Sequence, residues 1–252
     1  MKIIASIFFE LKQGVREKAF WVVVFFFIFL LGVSLFLGEL SLGDRGAVLR
    51  TVCLTSIELS ALGLIIVRYT YNFYREKEFR LTDIYLSYSS AAHYIGGKLG
   101  GAIIVLFIYL FLSGLLGSLL LILNGAFKST VFTGIYSIFL KLCFICSFVF
   151  LVCSLINSPL LSSFLVALIY LASELSYNAL RLTSQSKYVF IKLVSKVLYY
   201  VLPNYHKVDL KIHAIYGVPI SALYMVEITL YTCFYVILCY FVAVTIFERK
   251  DH

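Results

Sequence analysis

An all-α polytopic membrane fold is what this 252-residue chain predicts, on three observations. Hydrophobic residues make up 62% of the composition against 13% charged, and the mean hydropathy of +0.99 is far above that of a water-soluble globule. Six runs reach the length of about 20 predominantly apolar residues that a bilayer crossing needs: 20–40, 52–74, 99–123, 131–155, 159–179 and 220–247. None alternates polar with apolar residues as a transmembrane strand would, so helices are expected and a barrel is not.

Ahead of the first run, Lys2 is followed by the apolar residues 3–9, and then Glu10, Lys12, Arg16, Glu17 and Lys18 interrupt them. With no small-residue cleavage pattern after it, the segment 1–19 reads as a retained amphipathic interfacial helix, and 20–252 as one six-helix membrane domain. Between the second and third runs, residues 75–98 hold Arg75, Glu76, Lys77, Glu78, Arg80, Thr82 and Asp83 and end in Gly96, Gly97 and Lys98. Charges this dense are too costly for hydrocarbon, so a short amphipathic helix on the membrane surface is expected there. Lys2, Lys12, Arg16 and Lys18 predict a cytoplasmic N-terminus. Six crossings then put 75–98, the 157–159 turn and the C-terminal Glu248, Arg249 and Lys250 on the same side. The segment 176–219 falls on the outer side although it carries Arg181, Lys187, Lys192, Lys196, Lys207 and Lys211, because long loops follow the charge bias poorly. Within it, 187–202 spaces apolar residues as an interfacial helix does, and Pro203 and Pro219 bracket short pieces that could form a gate or contact an extracytoplasmic partner.

Signs of covalent chemistry are lacking in the sequence. Cys53, Cys143, Cys146, Cys153, Cys233 and Cys239 all fall within the runs, where packing explains the C-x-x-C pair 143/146 better than a metal. There is no H-E-x-x-H and no G-x-S-x-G, so no catalytic residue is assigned. Gly96, Gly97, Lys98 fails as a phosphate loop, since Ala92 stands at the first glycine position, Leu99 replaces the Ser or Thr, and no strand precedes it. His206 and His213 are seven residues apart without a third ligand and read as surface histidines. The formal charge of +8 sits beside the runs, which suits anionic headgroups and not nucleic acid.

Ionisable residues inside the runs need partners. Arg68 is near an end of its run and is expected to snorkel. Lys141 is about ten residues into its run, roughly 15 Å deep, beyond easy snorkelling. Glu58, Glu174 and Glu227 lie in the corresponding parts of their runs and could reach it, either as an ion pair that holds the bundle together or as the lining of a translocation path. Gly96 with Gly100 and Gly97 with Gly101 make overlapping small-x-x-x-small pairs, expected to pack against another helix of this chain or of a second copy.

Three segments resemble the permease subunits of type-2 ABC transporters, in particular the subgroup that includes the permease of nitrous-oxide reductase maturation. Arg16, Glu17, Lys18, Ala19, Phe20 looks like the end of that family's elbow helix. Glu78, Phe79, Arg80, Leu81, Thr82, with Tyr94, Ile95, Gly96, Gly97, Lys98, Leu99, Gly100, is similar to its acidic coupling segment and later glycine-lysine. Leu202, Pro203, Asn204, Val208, Asp209, Tyr216, Gly217 and the closing Ile246, Phe247, Glu248, Arg249, Lys250, Asp251 complete the likeness. Ser89, Ser90, Ala91 and Ala92 stand where the family usually carries Pro and Arg. The resemblance implies a permease of the inner (cytoplasmic) membrane that exports a substrate, binds no cofactor itself, and pairs with a second permease copy or paralogue and with two ATP-binding subunits that hold ATP and Mg. It also implies that Arg75, Glu76, Glu78, Arg80, Thr82 and Asp83 contact the ATPase through a cytoplasmic coupling helix. A membrane scaffold without transport and a secondary transporter are the alternatives, the latter disfavoured by the lack of an internal repeat.

Overall fold

Apolar runs with no interior proline commit the backbone to helix, because in hydrocarbon each N–H and C=O must be satisfied within its own segment. A computed structural model describes residues 2–41, 43–183 and 189–250, with the side chains at 2–6, 15, 19, 83, 189, 191, 198, 201 and 250 outside that description. Among the described residues every regular element is helical, and six helices are long and apolar enough to cross a membrane. The protein is therefore an all-α, multi-pass membrane protein.

An amphipathic helix, α1 (Lys2–Arg16), leads into the first crossing, α2 (Lys18–Leu40). The second crossing is continuous from Arg45 to Glu78: α3 (Arg45–Gly63), a π-helical stretch (Leu64–Tyr69) and α4 (Thr70–Glu78). After α5 (Leu81–Tyr88) come α6 (Ala91–Leu123), α7 (Val131–Leu155) and α8 (Pro159–Thr183). Three short helices, α9 (Val189–Val201), α10 (Tyr205–Val208) and α11 (Lys211–Tyr216), precede the last crossing, α12 (Ala222–Lys250). Pro159 opens α8, and Pro203 and Pro219 lie between helices, the positions where a missing N–H does least harm. The end of the bundle carrying α1 and the close of α12 is called the terminal end below, and the opposite end the distal end.

The centre is α7. Its apolar window is 78% buried, against 22% in α2 and α8 and 28% in α12, so those three form the lipid-facing wall around it. From Ser137 to Ser154 nearly every side chain of α7 is inside, and its serines bond back to the carbonyl three or four residues earlier, leaving no polar atom to solvate. On α2 only a stripe of Phe20, Phe27, Leu31, Ser34 and Gly38 is buried, turned toward α3. Along the second crossing, Leu49, Cys53, Ile57, Ala61, Ile65, Tyr69 and Phe73 are buried at every fourth residue. In a straight α-helix that spacing drifts by about 40° per step. The π stretch holds an extra residue per turn and takes back part of the drift, keeping Tyr69 and Phe73 on the inner side.

The crossings outrun the apolar runs read from the sequence, the second extending over Arg45–Glu78 where 52–74 is expected. The third crossing starts at Ala91 and not at residue 99, because the Ser90 hydroxyl accepts the His93 N–H and caps a helix that runs straight on through Gly96, Gly97 and Lys98. The surface segment is consequently short: α4 ends at Glu78, Arg80 adopts a left-handed φ of 53°, and α5 turns away. The outer leucines of α6, Leu119 and Leu123, are exposed as in hydrocarbon. At about 1.5 Å per residue α6 is about 50 Å long, against about 30 Å of hydrocarbon, so its opening dozen or so residues stand at headgroup level.

That is the level at which α1 packs along α6. The close approach needs glycine: a Cβ on Gly101 would lie 2.5 Å from Glu10 Cβ, and one on Gly100 would lie 3.3 Å from Ile7 Cδ1. Gly96 faces the Tyr240 ring of α12 in the same way. These contacts of Gly96, Gly100 and Gly101 are within one chain. Replacing Gly101 by Ala is expected to lower stability by about 1–3 kcal/mol through overpacking, whereas Gly32→Ala, which meets nothing within 4 Å, should be neutral or slightly stabilising. Thermal denaturation of the two variants in the same mixed micelles measures the contrast.

Candidate functional site

Between α9 and α12 the chain does not stay on the surface. Tyr205, Val208, Leu210 and Ala214 are apolar and buried, which draws the α10–α11 segment down onto α7 and α3. Side chains from the crossing helices and the α6–α7 loop then tie its backbone. Arg50 donates through Nε to the Ile215 carbonyl at 2.7 Å and through Nη1 to the Ala126 carbonyl at 2.8 Å. Thr130 Oγ1 donates to the Ala214 carbonyl at 2.9 Å, and the Asn204 N–H donates to Tyr231 Oη at 3.0 Å.

This fold-back delivers Asp209 to Lys141. The Lys141 ammonium lies 2.7 Å from Glu58 Oε1 on α3, 2.8 Å from Glu174 Oε2 on α8 and 3.1 Å from Asp209 Oδ2. An ammonium has three donors, so a fully buried lysine is fully satisfied. Tyr170 and Tyr205 place their rings 5.8 Å and 5.4 Å from the same nitrogen. Lys211 bridges Glu58 Oε2 at 2.5 Å and Asp209 Oδ2 at 3.4 Å, and its own N–H donates to Asp209 Oδ1 at 2.9 Å. Tyr170 Oη donates to Glu58 Oε1 at 2.8 Å. Three carboxylates against two ammoniums leave the group at a formal charge of −1. Burial would raise the Asp209 pKa, but Lys141 and Lys211 outweigh it and hold the carboxyl below its ordinary range.

Above this ionic group opens a cleft of about 670 Å³, lined among others by Glu174, Tyr177, His206, Asp209, Lys211 and Tyr224. His206 lies flat on Tyr177, ring centroids 3.8 Å apart and 7° from parallel, while His213 is exposed. Of the three carboxylates the sequence offered to Lys141, Glu58 and Glu174 are there and Glu227 is not. Glu227 is exposed on α12, because its neighbour Ile228 takes the inward position.

A second buried group sits at the terminal end. Lys98 of α6 lies 2.7 Å from Glu10 Oε1 of α1 and 2.6 Å from Glu76 Oε1 of α4, and Tyr94 Oη donates to Glu76 Oε2 at 2.9 Å. One and two turns back along α4 and the π stretch, Asn72 donates to Glu17 Oε1 at 2.8 Å and Arg68 Nε meets Glu17 Oε2 at 2.6 Å. Arg68 therefore does not snorkel: its side chain is 1% exposed and paired inside the protein.

The residues expected to meet an ATPase divide by face. Glu76 is turned inward, because α4 buries its Asn72, Phe73 and Glu76 stripe, and Thr82 of α5 is buried as well. Glu78 and Arg80 are exposed, with Lys77 and Phe79 beside them, and Arg75 is half-exposed. The Asp83 side chain lies outside the described residues, as do residues 187 and 188, while α9 takes up 189–201 of the expected interfacial helix. Sequence reasoning missed Asp209, Lys211, Glu10 and Lys98. Glu10 carried a signal, a lone acid on the apolar side of an amphipathic helix; Lys98 carried another, a lysine among glycines and leucines. No protein-family model matches the chain, and none of the curated proteins matches it.

Removing one partner of a buried ionic group leaves charge uncompensated, so Lys141→Met is expected to lower stability by about 3–5 kcal/mol, with part recovered in Lys141→Met combined with Glu58→Gln. Glu174→Gln, at a side chain 37% exposed, should do less. Thermal melts in one detergent compare the three. Because the folded Asp209 has a pKa below its unfolded value of about 3.9, its ionised contacts stabilise fully above that pH and fade as pH falls through the lower folded value. Asp209→Asn should accordingly flatten the acid limb of a melting-temperature profile below about pH 4 and leave its neutral-to-alkaline shape unchanged.

Proposed function

We propose that this chain is the membrane-spanning permease subunit of a type-2 ATP-binding cassette exporter in the inner (cytoplasmic) membrane, with both termini and the α4–α5 turn in the cytoplasm. It performs no covalent chemistry; ATP and Mg are held by a separate ATPase subunit, and a second permease copy or paralogue completes the pathway. The observation that carries this reading is the α4–α5 turn. Its exposed tip of Lys77, Glu78, Phe79 and Arg80 offers both signs of charge around an aromatic ring exposed by 67%. Behind the tip, Glu76 is locked to Lys98, which also holds Glu10, and Tyr74 Oη donates to the Ile156 carbonyl at 2.7 Å in the α7–α8 turn. A surface meant to receive force from a closing motor must be exposed in front and rigid behind, and this one is both.

Force arriving there has a continuous path. Glu76 and Glu58 lie on the same crossing helix, 18 residues or about 27 Å apart, with the π stretch between them. A push on the tip thus acts on the terminal ionic group and, through one helix, on the group at Lys141 below the distal cleft. In this reading the cleft is the distal mouth of the path and the Lys141 group its floor.

Charge reversal at Glu78 should abolish co-purification of the ATPase subunit, while reversal at Glu39, exposed at the distal end, should leave it intact. Full recovery of the complex with Glu78→Lys would count against docking at the turn. ATPase turnover in proteoliposomes that is the same with and without this chain would overturn the exporter assignment.

A further inference from the structure

A groove of about 620 Å³ runs between α1 and the α4–α5 turn at the terminal end, and its two sides differ in chemistry. Phe9, Leu81 and Ile84 line it with apolar side chains that are 62%, 48% and 58% exposed. Lys12, Arg16 and Arg75 line it with cations. Lys12 and Arg16 take part in no ion pair among the described residues; Arg75 has a 3.7 Å contact with Glu17, which is already bound to Arg68, and lies 5.9 Å from the centre of the Tyr71 ring. On the floor, Lys98 is neutralised by Glu10 and Glu76. Four cations less two carboxylates give the lining a formal charge of +2.

Such a groove is matched by a molecule with an anionic head and an apolar tail. Its height in the membrane agrees, since α1 packs on the part of α6 that stands at headgroup level. A basic amphipathic helix facing that layer attracts anionic lipid both by charge and by buried apolar area. We propose that this groove binds one anionic phospholipid, its phosphate among Lys12, Arg16 and Arg75 and an acyl chain along Phe9, Leu81 and Ile84. The bound lipid bridges α1 and α5, which otherwise share the groove without direct ion pairs among the described residues. The assignment rests on the membrane-spanning fold and is independent of ATPase docking.

The test is made on the purified full-length chain in a neutral detergent, titrated with dioleoylphosphatidylglycerol, dioleoylphosphatidylcholine or inorganic phosphate, and read by native mass spectrometry and melting temperature. Phosphatidylglycerol is expected to be retained at least tenfold more tightly than phosphatidylcholine and to raise the melting temperature. Lys12→Gln with Arg16→Gln and Arg75→Gln should remove the preference, at roughly fivefold per cation. The charge-keeping set Lys12→Arg, Arg16→Lys and Arg75→Lys should retain it, and Ile84→Ser should weaken phosphatidylglycerol binding severalfold without changing charge. If the neutralised set fails to fold, these last two variants decide the matter. Equal retention of the two lipids, an unchanged preference in the neutralised set, or full strength in Ile84→Ser would overturn the proposal. Reproduction of the effect by inorganic phosphate at equal phosphorus would reassign the site to a free anion and overturn it as well.

Discussion

Everything in the distal half of this protein depends on a lysine whose three N–H bonds are all taken by carboxylates inside an apolar bundle. A charge at that depth is tolerable only if it is paired and hydrogen-bonded, and Lys141 meets the condition by recruiting α3, α8 and the segment between the last two crossings at once. Its place on α7, the most enclosed helix, is what makes the recruitment possible, since only there can three other elements surround one side chain. The ionic group thereby sets where the distal segment lies. The cleft above it follows from that placement.

The terminal end solves the same problem in the same way, one lysine on α6 serving acids on α1 and α4. The two groups are not separate decorations, because Glu58 and Glu76 belong to one crossing helix. Between them the π stretch re-phases the buried face and presents Arg68 to Glu17, so that helix is pinned at both ends and in the middle. Rigidity of this kind suits a part that carries load. It also explains why the exposed tip of the α4–α5 turn can be polar without being loose.

Much of the fold was legible in the sequence, and the failures share one cause. The run 131–155 coincides with α7 because its ends are marked by polar residues and its one charge is isolated. The second and third crossings were read too short, since Glu76 and Lys98 each counted as a reason to stop a hydrophobic run when in fact each cancels the other. Arg68 was sent to the surface on the same reasoning. At the site, Glu58 and Glu174 could be matched to Lys141 by depth alone, but depth does not give the helical face, and Glu227 was included wrongly for that reason. Asp209 and Lys211 were out of reach because their burial is decided by Arg50, Thr130 and Tyr231, which lie in distant parts of the chain.

The spacing of the Lys141 group along the chain has a consequence for biosynthesis. A polypeptide made from its N-terminus already holds Glu58 when Lys141 emerges, yet Glu174 follows 33 residues later and Asp209 68 residues later. Until then the nascent protein carries an ammonium with one of its three carboxylate partners. The Lys141 group is thus completed only after α8 and the distal segment have been made, with α12, whose Tyr231 holds Asn204, still to follow.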